Sequence, residues 1–445
     1  MQHRYRNALL VSALVFVFNS ASAQDFIVNN NADVPDASPG DGVCNPVNAV
    51  PGVCTLRAAV MEANALDNGP HLIALPSGTY TLDNEGEDED GALTGDLDIT
   101  SNIRILNGTA NPPLISGNAS DRIFDLLDGS ELELENVALA FGVANTPLTV
   151  RGGAVQVREG ARLALDTVRV SLNLANQGGA IYSDGVVSIQ RSEIFNNAIL
   201  AEHLISEFSD GAAIFNRGQL LVGRSTIRDN GKIPGFGVPL PTNEFAIHSR
   251  PGFAKLISVA ISNSTIFGNT NGVFSDGVLT SISSSTVVEN NQRGLRFLPD
   301  VENLEQVQLN ISQSVFFGHQ ASDCNALNSA QSWLSVSERV NASSDESCGF
   351  DGGVDFQNIQ NPFFGGLSDN GGPTLTLMPR STSILVDPED GSCSFVITTD
   401  QRGSPRQVDG NDSGQALCDI GSVEYQPGDD PEFTDQLFSD RFQQQ

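Results

Sequence analysis

Lysine is almost missing from this 445-residue chain: Lys232 and Lys255 are the two among 23 basic residues, set against 54 acidic ones. The formal net charge is -31. A chain this acidic does not hold nucleic acid by covering phosphates, and it does not adsorb to anionic lipid by charge. Tryptophan (one) and tyrosine (four) are scarce, while phenylalanine reaches 24. The flat polar rings on which sugars commonly stack are therefore few, and the phenylalanines are expected in an interior stack. Beyond the N-terminus no segment approaches 18 consecutive apolar residues, so a helical membrane span in the mature chain is excluded. There is no Cys-x-x-Cys and no histidine at ligand spacing from a cysteine, which argues against structural zinc.

What is present begins with an address. Residues 1–23 read as a secretory signal peptide, with Arg4 and Arg6 ahead of an apolar stretch from Ala8 to Phe18 and the small residues Ala21-Ser22-Ala23 before Gln24. A short N-terminal anchor is the alternative. Cleavage removes the two arginines and takes the net charge to -33. The six cysteines all follow this segment and form the sequence-local pairs Cys44/Cys54, Cys324/Cys348 and Cys393/Cys418. An even count in an exported chain points to disulfides, and local pairing is the expectation among the possible connectivities.

The middle of the chain repeats. Gly152-Gly153-Ala154-Val155, Gly178-Gly179-Ala180-Ile181 and Gly211-Ala212-Ala213-Ile214 share one texture. A second element recurs at intervals of 21 to 39 residues, as in Ser225-Thr226-Ile227-Arg228-Asp229-Asn230 and Ser264-Thr265-Ile266-Phe267-Gly268-Asn269. An imperfect period of this length marks a solenoid. Short β-branched runs separated by Asn and Gly favour β coils over helical repeats, which need apolar residues at i, i+3, i+4 and i+7. A β-sandwich or propeller would lack these repeated elements. Asn at a repeated corner tolerates a left-handed backbone, and stacked amides can bond between coils. The expected fold is all-β, a right-handed parallel β-helix with a short N-terminal capping helix at Cys54–Asn64 and an irregular, disulfide-bearing C-terminal cap. The divisions are 1–23 (signal peptide), 24–94 (N-terminal cap), 95–320 (coils), 321–425 (C-terminal cap) and 426–445 (mobile acidic tail).

Specific residues carry a family resemblance. Asp33-Val34-Pro35-Asp36, Pro39 to Cys44, Cys54-Thr55-Leu56-Arg57-Ala58-Ala59 and Glu62-Ala63-Asn64 resemble the CSLREA domain of exported bacterial proteins. Two of the six signature positions differ: Thr55 stands for Ser and Ala58 for Glu. Asn370-Gly371-Gly372-Pro373-Thr374, Asp400-Gln401-Arg402-Gly403 and Cys418 to Glu424 resemble the choice-of-anchor Q region, and the coils between resemble polymorphic outer-membrane-protein repeats. The resemblance implies a parallel β-helix that is secreted or on the outer surface of a Gram-negative bacterium. It implies little chemistry, because fold and address are not function. No terminal β-barrel pattern follows the repeats, so self-translocation is not expected.

Candidate chemistry is sparse. Asp184, Asp210 and Asp276, each before a glycine, are the carboxylates that could form a row across coils, and inverting hydrolysis needs two carboxyls about 6.5–9.5 Å apart. The competing reading is ordinary Asp-Gly turn chemistry. The Asn-Thr-Asp and Gly-His-Gly elements of polygalacturonase-like enzymes are absent. The histidines of the mature chain (His71, His203, His248, His319) read as surface or loop residues rather than bases, and the arginines do not cluster along the sequence. Asp409, Asn411 and Ser413 copy the first half of a calcium loop but lack the closing glutamate, since Ile420 occupies its place. No cofactor is required on this reading; calcium is the one candidate, and it would relieve self-repulsion. The leading expectation is a monomeric, secreted or surface structural, adhesion-type protein with an extracellular ligand, a surface glycan or protein. The alternatives are a β-helix polysaccharide lyase or hydrolase and a calcium-dependent matrix or anchoring protein.

Overall fold

Valine, isoleucine and leucine alternate with polar residues in runs of three to five, and in the computed structural model each run becomes a strand with its apolar side inward. The structure describes residues 26–429 apart from 67–68, 87–88, 145–149, 201–210, 232–243, 253–256, 300–307, 326–333, 337–339, 351–352, 390 and 395. Residues 1–23, Asp210, His203, Trp333 and the tail beyond 429 lie outside this set.

Among the described residues, strands form parallel sheets of 11, ten and nine members and a short one of three. Coils visit the three long sheets in turn, and three coils add a strand to the short one: Val155–Val157 lies in the nine-stranded sheet, Arg162–Asp166 in the 11-stranded, Arg169–Ser171 in the ten-stranded and Leu174–Ala175 in the short one. The next coil repeats the order in register, with Val155 against Ile181 and Leu163 against Val187. This is the expected right-handed parallel β-helix. Its coils run from Phe26–Ile27 to Ala342–Ser343, past the 95–320 span on both sides. Inward residues stack into one core, such as Leu139, Val170, Ile194, Ile227 and Ile266 along the ten-stranded sheet. Each contributes roughly 1.5–3 kcal/mol by leaving water.

The repeated Ser-Thr-Ile-x-x-Asn element is one three-residue strand with a polar rung at each end. The Ser192 N–H donates to Ser225 Oγ (3.1 Å), Ser225 to Ser264 (3.2 Å), Ser264 to Ser285 (3.4 Å) and Ser285 to Ser314 (3.1 Å). At the other end, Nδ2 of Asn173, Asn197, Asn230 and Asn269 donates to Oδ1 of the next asparagine at 2.9–3.1 Å, ending at Asn290. These amides are fully buried. The left-handed backbone falls one residue before each rung, not on the ladder asparagine: Asn196, Asp229 and Glu289 have φ of 53–55°. The rung residue keeps an ordinary backbone because its amide must point inward to its neighbour. Gly178 has φ +63°, and a Cβ on Gly179 would lie 2.2 Å from the Ala212 carbonyl oxygen, so the Gly-Gly-Ala corner needs both a conformation and a space.

The helix Leu56–Ala65 starts at Thr55, whose side chain accepts from the Ala58 N–H. Polar residues of this segment have structural work here. Arg57, with no exposed surface, grips Asp33 through Nε and Nη2 (2.6 and 2.9 Å) and donates to the Ala92, Gly95 and Asp96 carbonyls. Glu62 accepts from the Gly40 and Gly42 N–H groups, and Asn64 Nδ2 donates to the Asp98 carbonyl.

The three disulfides join Cys44–Cys54, Cys324–Cys348 and Cys393–Cys418. The C-terminal segment does more than cover an end: it lies along the outside of the ten-stranded sheet. Gln401 Nε2 donates to Thr226 Oγ1 (2.8 Å), Thr265 Oγ1 donates to Gln401 Oε1 (2.7 Å), and the Ser422 N–H donates to Thr286 Oγ1 (2.9 Å). Val288, Val315 and Phe317 of the sheet pack with Phe364, Leu385 and Ile420 of that segment.

Candidate functional site

Chemistry-bearing residues converge on the outer face of the nine-stranded sheet. In Leu97–Ile99 and Phe124–Leu126 the end residues join the core, so Asp98 and Asp125 between them face outward, and they pair in register. The same outward column continues through Gln156, Tyr182, Phe215, His248, Phe274 and Arg296. It is an aromatic ladder in its middle: Tyr182 stacks on Phe215 (5.6 Å), Phe215 meets His248 edge-on (5.1 Å), and His248 stacks on Phe274 (4.5 Å). The four rings are nearly fully buried. Phenylalanine is thus divided between the interior (Phe124, Phe297, Phe316) and this outer ladder.

Arginines ring the column. Arg151 sits 4.7 Å above the Tyr182 ring, and Arg217 Nη1 donates to the Tyr182 hydroxyl at 3.0 Å. Arg217 Nε lies 3.5 Å from Asp184 Oδ1. Burial pushes the Tyr182 phenol above its ordinary pKa, against the hydrogen bond from Arg217, so it stays neutral over the physiological range. The arginines, dispersed in sequence, cluster here because residues about one coil apart in the chain become neighbours about 5 Å apart across strands.

At the N-terminal end the column is acidic. Asp96, Asp98 and Asp125 each present an oxygen, and the three lie within 4.8 Å of one another. Arg122 Nε is 2.7 Å from Asp96 Oδ2, and Arg158 bonds both oxygens of Asp125 (3.2 and 2.9 Å) and reaches Asp90 (2.8 Å). Desolvation raises the Asp98 carboxyl to about 7, helped by the nearby Asp125, Glu89 and Asp90 charges and opposed by the Ala92 N–H.

Of the carboxylates singled out from sequence, Asp184 and Asp276 do not form a pair. Asp184 follows Ser183, which registers with Asn216, Ser249 and finally Ser275 before Asp276. Three coils separate them, about 14 Å at the usual strand spacing, too far for the inverting geometry. Asp184 directly follows the strand Ile181–Ser183 and Asp276 ends the strand Asn271–Asp276, while Asp210 lies outside the described residues. Asp409 accepts from the Ser413 and Gly414 N–H groups and Asn411 from Ser413, so these oxygens bond to the loop's own backbone. The described histidine side chains are not at the surface: His71 and His248 are buried, His319 is half-buried with its side chain covered, and His319 Nδ1 lies 2.7 Å from Asp323. Their strand and corner positions face packed columns that sequence spacing did not reveal. Asp96, Asp98, Asp125, Arg151 and Arg217 went unmarked for the same reason, although Gly95-Asp96-Leu97-Asp98 carries a visible Asp-x-Asp pattern.

No protein-family model matches the chain, and no curated protein matches its sequence. Among solved structures, its fold is similar to that of the pectate lyase Pel9A, at a TM-score of 0.51 and 13% identity over 91% of this chain and 97% of that one. A rhamnogalacturonan lyase aligns at a TM-score of 0.45 and 12% identity, over 77% of this chain and 91% of that one. At 13% identity the Pel9A likeness is one of fold: both chains are parallel β-helices.

Proposed function

We propose that this is a secreted carbohydrate-active β-helix protein that handles an acidic polysaccharide by lyase-type elimination. The observation that carries the reading is the convergence of Arg151 and Arg217 on Tyr182, with Asp184 beside them. Elimination next to a uronate carboxylate needs that carboxylate neutralised, which guanidinium groups do with matched geometry. It also needs a base to take the proton α to the carboxylate and an acid to protonate the leaving sugar oxygen; the Asp184 carboxylate beside Arg217 is the candidate for the first and the neutral Tyr182 phenol for the second. The pectate lyase name of the fold neighbour agrees with this substrate class. The net charge of -33 on the mature chain (-31 for the full chain less the two arginines of residues 1–23) opposes a polyanion at long range, so turnover should rise with salt or divalent cations.

The test is incubation of the purified protein with neutral and acidic polysaccharides, with and without calcium. New ultraviolet absorbance from unsaturated ends is expected with an acidic polymer. Arg217→Ala and Tyr182→Phe should each lower the rate at least tenfold while the melting temperature stays within a few degrees. No depolymerisation above a heat-killed control sinks the reading.

A second reading, an adhesion-type surface module of the CSLREA and choice-of-anchor kind, is favoured by another observation. The outward positions of Val186–Gln190, Gln219–Gly223, Ser258–Ser262, Leu279–Ser283 and Leu309–Ser312 include Ser188, Leu221, Ala260, Ser281 and Asn310, and none of them is charged. In so acidic a protein, a flat uncharged flank suits a neutral glycan or protein ligand. Binding without cleavage across the same panel would select it.

A further inference from the structure

We infer that Asp96, Asp98 and Asp125 form a binding site for a divalent cation of calcium type. The site lies two coils from Tyr182 in the same outward column, and the inference does not rest on the lyase reading. Two oxygens on one calcium ion at about 2.4 Å can be at most about 4.8 Å apart. The three carboxylate oxygens meet that limit. All three residues are more than nine-tenths buried. Asp98 Oδ2 accepts from the Ala92 N–H, but Asp98 Oδ1 is buried with no hydrogen-bond partner among the described residues. A buried carboxylate oxygen without a donor is costly, and a cation would supply the missing partner.

Charge argues the same way. Asp121, Glu89 and Asp90 add their fields to the three aspartates, and among the described residues Arg122 and Arg158 oppose them. Arg57, the next cation, is already matched by Asp33. Six carboxylates against two guanidinium groups leave room for a dication. Its place in the fold gives it a task. Glu89 accepts from the Gly91 and Thr94 N–H groups, and the Ala92 N–H donates to Asp98, so the ion would pin residues 89–96 onto the first coils.

The test uses the full mature protein, stripped with chelator and titrated with calcium chloride by calorimetry, with thermal melts alongside. One saturable site per chain is expected, with a higher melting temperature when loaded. Asp98→Asn should weaken binding at least tenfold and remove the thermal gain, while Asp409→Asn, in the loop of residues 409–414, should retain both. Hydrogen exchange on the wild type, which needs no variant to fold, should show calcium-dependent protection at residues 89–100. Absence of saturable binding, full binding by Asp98→Asn, or protection confined to residues 409–414 would each overturn the assignment.

Discussion

Single side chains in this protein are asked to be charged where water is scarce. Glu133 faces outward beside Arg104 (3.3 Å), yet burial lifts its carboxyl to about 7, with the fields of Glu135, Asp166 and Glu131 adding to the rise and Arg104 opposing it. A carboxyl raised in the folded state binds its proton more tightly there than in the unfolded chain. Its contribution is therefore fully present below pH 4 and is lost as pH rises through 7. Glu133→Gln should leave the melting temperature unchanged at pH 5 and raise it at pH 8 by roughly 1–3 °C. Melts at the two pH values check this, and a lower value for the variant at pH 8 would show that the Arg104 pair outweighs desolvation. Arg57 is the opposite case: its donors meet Asp33 and three carbonyls, so a buried charge is fully matched.

At the scale of the element, the asparagine ladder does what a hydrophobic column cannot. Van der Waals stacking tolerates sliding, whereas each amide admits one register. Asn230 accepts from the N–H and Nδ2 of Asn197 and donates to Asn269 Oδ1 and the Ile194 carbonyl. Asn230→Ala removes one residue and strands buried polar groups on both neighbours, so a loss of about 3 kcal/mol in urea unfolding is expected. Asn411→Ala, in an exposed turn, should stay within about 0.5 kcal/mol. Equal losses at the two positions would refute the ladder's role.

The whole molecule is a column with an arm along one side. The ten-stranded sheet would otherwise expose Thr226, Thr265 and Thr286 beside Val288 and Phe317, and the C-terminal segment covers them. Gln401 is the central peg, fully buried and bonded to Thr226, Thr265 and Thr374. Gln401→Leu should raise hydrogen exchange across residues 363–425 at least tenfold and leave the coil strand Val186–Gln190 unchanged. Loosening of both together would mean that arm and column unfold as one unit. The described residues contain no helix long and apolar enough to cross a membrane.

The repeat residues themselves determined the coil. Apolar residues at alternate positions, Ser and Asn at the strand ends, and Gly-Gly-Ala at the corner are local requirements, and local requirements are written in consecutive residues. The uneven intervals of the second element were legible too, because a solenoid absorbs insertions as loops: the serine rungs Ser192, Ser225, Ser264, Ser285 and Ser314 are separated by 33, 39, 21 and 29 residues. Which outward residues become neighbours was decided only by the tertiary structure. Arg217 reaches Tyr182 from 35 residues away, and Asp98 meets Asp125 from the next coil. Register across coils depends on the summed length of every intervening turn, so the site exists only once the coils have stacked.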